Sequence, residues 1–460
     1  MSSESRRKFV KKAAWTAGLA AAPAVRPLWG QKKGPNDRIN VAVVGIRGRG
    51  RAHYSEYAKM PNVRVTHLCD VDERLFGPGV AEVEKIGGYR PETVVDFRKL
   101  IEIKDIDAVS IATPDNWHAL QTIWGCQAGK DVYCEKPACM TIREGRHMVR
   151  AAWKYGRMVQ IGTQRRSDPR AAAAVQFMQS GQFGHLYRAK ALVLRGRKSI
   201  GHVQESSIPK GVHWDLYRGP APYTSFSLNK FHYAWHYSWD TATGEIGNNG
   251  VHQLDLIRWA LDKQVHPVQV YCTGGKFEDD SDQKTPNVAV ASYRWADGTM
   301  LDLEMTTLYS PAFDGLRVGS VFYTTEGYLL DTDKWKVVEG EFTARDTPDL
   351  PGGVSLRAVN LSFPDINYKP GPAIPDLAEP MRNHFENFID CVRSRKREDL
   401  HCEVFQGHMS ATLCHLANIS LRLGRQVNFD PATESFPEDK EADKYLTRKY
   451  REPYVLPEPV

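Results

Sequence analysis

Cysteine pairs at short spacing are missing from this 460-residue chain: eight cysteines, at 69, 126, 134, 139, 272, 391, 402 and 414, are scattered without a C-x-x-C. That pattern gives no zinc-ribbon or thioredoxin-type centre and points to buried thiols, with disulfides left open. Matched metal ligands are equally sparse. His232 and His236 make an H-x-x-x-H step with no third ligand beside it, so no metal is expected. Long apolar runs are lacking apart from a mild alanine-rich stretch, Ala13 to Val25, so a membrane role extends no further than the leader. A basic surface is lacking too. The net charge is +6, but residues 1–35 carry eight Lys/Arg and one acidic residue, a net of +7, which leaves −1 for the rest. The basic isoelectric point therefore belongs to the leader, and no nucleic acid partner is expected.

The leader has its own pattern. Ser5-Arg6-Arg7-Lys8-Phe9 precedes the apolar stretch and Arg26-Pro27 follows it. This resembles a twin-arginine export signal, which carries folded proteins across the bacterial inner membrane, with an A-x-A-like cleavage site at Ala22 and Ala24. It implies the twin-arginine translocation machinery as a partner and a periplasmic or exported destination. The remaining chain, with an ordinary globular composition, is too long for one core, so two domains are the default.

The strongest local signal is residues 39–54, INVAVVGIRGRGRAHY. Ile39 to Val44 reads as a buried parallel strand, and Gly45, Gly48 and Gly50 follow it directly before a helical pattern. Such a turn aims backbone N–H groups and a positive helix end at a pyrophosphate. The fingerprint departs from G-x-G-x-x-G, with Arg47 at its middle position and Gly48 one residue late; Arg47 and Arg49 can contact phosphate. A second apolar run, Val63 to Leu68, delivers Asp70, a carboxylate placed to hold ribose hydroxyls, so NAD is favoured over NADP. Later strand ends face the same crevice. Ile106 to Ile111 ends at Thr113 and Pro114, with Trp117 as an aromatic wall near the nicotinamide and His118 at the helix start. A short strand, Asp131 to Cys134, delivers Glu135, Lys136 and Pro137 on the cofactor side, where the Lys136 amine can hydrogen-bond the nicotinamide ribose and a substrate hydroxyl and can stabilise an alkoxide or carry its proton. A further strand ends at Gln164 on the cofactor side and Arg165 on the substrate side. These boundaries predict a leader and linker at 1–35, a nucleotide domain at 36–165, a substrate and oligomerisation domain at 166–430 and a surface tail at 431–460.

The second half begins with an irregular, aromatic-rich segment, 196–246, whose rings suit either sugar contact or plain packing. Strands at 268–274, 288–295, 299–307, 317–324 and 327–331 alternate as an antiparallel sheet does, with Asp297-Gly298 and Glu326-Gly327 as turns. The run 341–377, rich in proline and glycine, reads as a surface excursion. Helices are expected at 250–262, 378–394 and 405–423, and His384 and His408 on the last two could approach the site.

Taken together, the glycine turn followed by His53, ATPDNWHA at 112–119, CEKPACMTIREG at 134–145, GTQRRSDP at 162–169 and GEIGNNGVHQLDLIRWAL at 244–261 resemble the Gfo/Idh/MocA family, named for glucose-fructose oxidoreductase and inositol dehydrogenase. The resemblance implies an α/β protein: an N-terminal Rossmann-type nucleotide domain, then a C-terminal α/β domain with a large open, mostly antiparallel sheet that packs into homodimers or homotetramers. It also implies tightly bound NAD(P) and a sugar or polyol substrate. Lys136 matches the family's E-K-P lysine, and His252 matches the histidine of its D-x-G-x-H motif, the acid/base at the reacting hydroxyl. His232, His236 and Trp239 become candidates for the substrate wall. This chain departs at the motif, because Asn248 stands where the carboxylate is expected, and an amide can orient substrate or the histidine by hydrogen bonds but cannot take a proton; Asn248 and Asp255 are expected on the substrate side. Asp255, one helical turn after His252, or the preceding Asp240 or Glu245, would supply the missing charge.

The resemblance supports an exported NAD(P)-dependent oxidoreductase with retained cofactor, acting on a carbohydrate or polyol. A redox-neutral glycosidase is the alternative, since some family members oxidise a ring hydroxyl, eliminate the aglycone, add water and reduce again. A non-catalytic sugar-binding protein on the same scaffold is the competing class.

Overall fold

The computed structural model describes residues 38–332, 335–343, 353–359 and 378–457. The expected leader at 1–35 and much of the run 341–377 lie outside the described residues.

Val41 and Val43 enter one core while Ala42 and Val44 enter another. Burial on both faces is why β1 (Ile39–Val44) reads as a continuous apolar run. It sits inside a parallel sheet with β2 (Val63–Cys69), β3 (Glu92–Val94), β4 (Ala108–Ile111), β5 (Asp131–Cys134) and β6 (Val159–Ile161), in the order 3-2-1-4-5-6. The order reverses between β1 and β4, and the carboxyl ends of those strands open onto a crevice. Helices α1 (Gly48–Lys59), α2 (Phe76–Gly87), α3 (Asp115–Gln127) and α4 (Ile142–Lys154) supply the crossovers.

After α5 (Pro169–Gln179) the chain builds a nine-stranded sheet from β7 (Leu186–Leu194), β8 (Gln269–Gly275), β9 (Val288–Arg294), β10 (Met300–Thr306), β11 (Val318–Thr324), β12 (Gly327–Leu330), β13 (Lys336–Thr343), β14 (Gly353–Val359) and β15 (Val427–Asn428), ordered 14-13-12-11-7-10-9-8-15. β7 and β10 pair in parallel, and the other neighbours are antiparallel. Leu301, Leu303 and Met305 turn from β10 into a core shared with α5, α6 (Val251–Ala260) and α8 (Val404–Leu423). The intervening Asp302 and Glu304 face Arg188 and Lys190 of the parallel partner. Within the run expected as a surface excursion, residues 341–343 and 353–359 belong to the paired strands β13 and β14, which extend the sheet, and residues 355–358 are exposed.

α7 (Ala378–Ser394) packs Phe385 and Phe388 beneath the first sheet. The C-terminal segment buries Phe436, Ala442 and Leu446 in the second core and Tyr454 against Trp117 and Leu120 of α3. No helix among the described residues is long and apolar enough to cross a membrane. All eight cysteines are buried free thiols.

Candidate active site

A cavity of about 680 Å³ runs from the glycine turn, past the ends of β2, β4, β5 and β6, to the first turn of α6. At its upper end Gly45 has φ +78°, and a Cβ there would lie 2.7 Å from the Ala112 carbonyl oxygen. A Cβ on Gly50 would lie 1.7 Å from the Gly45 oxygen, so α1 can start this close to β1 only with glycine at both places. Arg47 is the extended N-cap of α1. Its side chain makes no capping bond, and the first turn holds no acidic residue. The Gly50 N–H bonds the Arg47 carbonyl at 2.9 Å, and the Gly48 and Arg49 N–H groups ahead of it are left for an anion, as a pyrophosphate requires. Asp70 accepts from the Ile46 and Asp72 amides at 2.8 and 2.9 Å, yet burial pushes its carboxyl up to about 6. Ribose hydroxyls donating to its remaining lone pairs would stabilise the ionised form, whereas a phosphate there would be repelled.

Below the turn, Glu135 gathers donors. Its Oε1 accepts from Arg49 Nε (2.9 Å), His53 Nε2 (3.1 Å) and Gln164 Nε2 (2.9 Å), and the other ring nitrogen of His53 meets the Ser110 hydroxyl at 2.9 Å. Burial alone would raise Glu135, but Arg49 and His53 hold it well below the usual carboxylate range. Arg49, Glu135 and Gln164, expected as separate cofactor contacts, are therefore one brace joining α1 to the ends of β5 and β6.

At the lower end the Lys136 ammonium donates to Asn248 twice, to its backbone oxygen at 2.9 Å and to its side-chain oxygen at 3.1 Å. Burial lowers the lysine. His252 opens α6 just after a π-turn, Ile246–Gly250, and its Nδ1 is buried with no partner in the protein. Burial first and Lys136 second pull this imidazole down to about 3. The His252 imidazole is thus neutral, beside a Lys136 Nζ that donates to both oxygens of Asn248. A hydroxyl between them would find a proton acceptor and a cation for its oxygen.

Comparison with known proteins now fixes the class. A family model described as an oxidoreductase family with an NAD-binding Rossmann fold matches residues 39–163, and the model of its C-terminal alpha/beta domain matches 193–316 and 332–456. The chain belongs to the Gfo/Idh/MocA oxidoreductase family. It is 29% identical over 194 residues to a glycosyl hydrolase family 109 protein of Stenotrophomonas maltophilia, covering 40% of this chain and 41% of that protein. It is 36% identical over 154 residues to an inositol 2-dehydrogenase of Rubrobacter xylanophilus, covering 33% and 43%. The chain thus spans about two fifths of the length of these curated relatives. A levoglucosan dehydrogenase solved with NADH and levoglucosan shares the fold with a TM-score of 0.62 at 19% identity, over 85% of this chain and 99% of that one. The WlbA dehydrogenase of Bordetella pertussis, solved with NADH and UDP-GlcNAcA, does so with a TM-score of 0.60 at 19% identity and the same coverage.

Within this Gfo/Idh/MocA frame several expected roles need correction. Trp117 borders the cavity, but its indole N–H donates to the Leu216 and Tyr217 carbonyls at 3.1 and 3.2 Å and its ring meets Tyr454 edge-on. It anchors the 214–218 helix and the C-terminal segment, and is not a free wall for nicotinamide. His118 holds the Pro137 and Thr113 carbonyls at 2.7 and 2.9 Å, and two acceptor-only partners require both ring nitrogens to carry protons. Burial opposes that charge, but Cys134, Asp115 and the Pro137 carbonyl push His118 up to about 10. No ring nitrogen remains for cofactor; His118 fixes the Lys136-Pro137 turn from beneath. Asp255 lies on the helix face away from the cavity, bonded to Arg166 at 2.8 Å and to the Ser410 hydroxyl at 2.6 Å, so it is neither a substrate contact nor the missing charge. Asp240 instead pairs with Arg218 at 3.2 Å. Trp239 stands outside the cavity, under the Arg422 guanidinium.

The remaining substrate candidates do line the cavity. Arg165 is ion-paired with Asp331. His236 stacks on Trp235, and burial pulls it down to about 3. His232 sits at the other end, 3.2 Å from Asp72. The aromatic segment divides accordingly. Trp214 and Phe226 are buried in a cluster with Tyr217 and Phe231 against Val71 and Trp235, while Tyr217, Phe231, Tyr233, Trp235 and His236 all border the cavity.

Of the carboxylates near the site, Asp115 has no role expected from the sequence, and Glu245 is the one of the three expected candidates that meets Asn248. Asp115, buried at the start of α3, accepts from Thr243 and leaves Oδ1 without a partner in the cavity wall; burial pushes it up to about 6. Its place beside the quoted Trp117 and His118 was the available signal. Glu245 bonds Asn248, Asn249 and Arg197, a convergence that no spacing rule displays. His384 and His408 are held away from the cavity, by Ser167 and the Ile161 carbonyl and by Glu434. His408, His266 and Glu434 do form a metal-like trio, but the Arg146 guanidinium already bonds both oxygens of that carboxylate and supplies the positive charge.

Proposed function

We propose that this chain is an exported NAD(P)-dependent oxidoreductase that retains its cofactor and acts on a hydroxyl of a carbohydrate or polyol. The observation that carries the reading is the single cavity joining an uncapped glycine turn and Asp70 at one end to Lys136 and His252 at the other. Gly45, Gly48, Gly50, Asp70, Thr113 and Pro114 would hold the dinucleotide, which supplies a hydride acceptor. Lys136 Nζ holds the carbinol oxygen as negative charge develops, and the neutral His252 imidazole takes its proton. Tyr233, Trp235 and His236 provide flat rings and a neutral imidazole for a sugar's apolar faces and hydroxyls. Export is supported by Arg6-Arg7 and the alanine-rich stretch after them. Tyr271 and Val290, exposed on the helix-free face of the second sheet, support a homodimer or homotetramer.

Retention of cofactor follows from export, because an extracytoplasmic enzyme meets no nucleotide pool. Protein produced in the cytoplasm without residues 1–35 is expected to purify with stoichiometric NAD(H). Heat-denatured supernatant read at the nucleotide absorbance bands checks this, and a nucleotide-free preparation that binds sugar would instead leave a non-catalytic binding protein.

Redox-neutral glycoside hydrolysis is the second reading. It is favoured by the similarity to a glycosyl hydrolase family 109 protein and by His236, a neutral base near Lys136. An aryl glycoside panel in deuterated water separates the two. Aglycone release without added NAD, with deuterium in the sugar at the carbon deprotonated next to the oxidised one, is the expected signature of the closed cycle. Unlabelled sugar, no aglycone and NADH formation only with added NAD would overturn it and leave a simple dehydrogenase.

A further inference from the structure

Charge at both ends fixes which way the Asn248 amide points. The Lys136 ammonium can only donate, so the side-chain atom 3.1 Å from it is the amide oxygen. The Glu245 carboxylate can only accept, so the Asn248 atom 3.1 Å from it is the NH2 group. Glu245 is itself held on the other side. Arg197 donates to it at 3.0 Å and to the Tyr233 hydroxyl at 2.7 Å, and the Asn249 amide also donates to it. The π-turn Ile246–Gly250 is the local cause, since its widened coil brings the side chains of 245, 248 and 249 together. Asn248 and Asn249 line the cavity, while Glu245 is buried behind them.

We propose that Glu245, anchored by Arg197, is the positioning residue that aims the Asn248 oxygen at Lys136 and thereby holds the lysine in the reacting position. The inference rests on the oxidoreductase reading for the role of Lys136, but the hydrogen-bond relay itself does not. It explains how the site works with an amide at 248: the anion stands one layer back, and the amide passes its polarity forward to the lysine. An aspartate at 248 would keep the bond to Lys136 but face the Glu245 carboxylate across the present NH2 contact. Two carboxylates at that distance hold one proton between them.

The test is a charge swap in the NAD-loaded full chain. Glu245→Gln and Asn248→Asp are each expected to lower kcat/KM by about tenfold or more, the loss of one charged hydrogen bond. The Asn248→Asp defect should shrink as pH falls, because the shared proton rebuilds a donor facing an acceptor. The double variant N248D/E245Q should regain most of the lost activity with the wild-type pH profile, since a glutamine at 245 can donate to an aspartate at 248, which still accepts from Lys136. A double variant no better than the worse single one, or an Asn248→Asp protein that matches wild type at all pH values, overturns the proposal. A second arm needs no substrate. NMR titration of 13Cε-labelled lysine should show the Lys136 midpoint falling in Glu245→Gln and returning in the double variant; a midpoint that ignores both changes also overturns it. If Glu245→Gln fails to fold, Glu245→Asp, which withdraws the carboxylate, should move the midpoint in the same direction. A wild type that turns over no sugar while Lys136 titrates as stated defeats the oxidoreductase reading alone; turnover without rescue defeats the positioning role alone.

Discussion

Alanine at Lys136 or at His252 is expected to lower kcat/KM by roughly 10²- to 10⁴-fold, the usual effect of removing a positioned proton-transfer group. Nucleotide content should not change. The cofactor end of the cavity is built from β1, β2, β4 and α1, and neither residue belongs to those elements. In the proposed mechanism Lys136 stabilises the oxygen and His252 removes its proton, so each loss should appear chiefly in kcat. Steady-state kinetics with a thermal melt and a nucleotide assay on the same preparation checks this. A folded, nucleotide-loaded variant that keeps more than about a tenth of wild-type kcat/KM would remove that residue from the chemistry. His252→Asn is the sharper companion, because it keeps a polar side chain of similar reach but cannot take the proton.

Asp255→Ala should damage the fold before it damages the chemistry. The carboxylate is buried between Arg166, Arg258 and the Ser410 hydroxyl, and Arg166 is itself nearly inaccessible. Removing the anion leaves two buried guanidinium groups facing each other, and breaking a buried pair in this way costs about 3–5 kcal/mol. Urea or guanidinium unfolding measures it, and a cost below about 1 kcal/mol would show that the pair is solvated in solution. The pH dependence has a definite sign. Burial alone would raise Asp255, but Arg166 and Arg258 hold it below its ordinary value. A group whose folded pKa is depressed contributes stability above its unfolded pKa, about 3.9, and loses it as pH falls toward the folded value. The wild type should therefore lose this increment on acidification, and Asp255→Ala should show a flatter acid limb.

That second prediction reverses the role that spacing suggested for Asp255. Three residues past His252, it was expected to share a face with the site; the turn of α6 instead places it against α8 and the Arg166 segment. The same limit applied to Trp117 and His118. Their position after a strand end was right, since both border the cavity, but their polar atoms are consumed by carbonyls from Leu216, Tyr217, Pro137 and Thr113. The aromatic segment could be read as sugar wall or as packing; Trp214 and Phe226 are packed away, while Tyr217 and Phe231 belong to that cluster and border the cavity as well.

What the sequence determined by itself was everything written in local periodicity. The strand, glycine turn and helix at 39–59, the carboxylate at the end of β2, the lysine at the end of β5 and the alternating strands from 269 to 330 each follow from steric and burial rules acting over a few neighbours. Because ligands of such sheets bind at strand ends, much of the cofactor side became legible with them. Only the tertiary structure decided which charges meet. Asp240, Glu245 and Asp255 are all close to Asn248 in the chain, yet one pairs with Arg218, one with Asn248 and Arg197, and one with Arg166. Periodicity reports which side of an element is covered, but the partner that covers it arrives from a distant segment, and a carboxylate's role is set by that partner.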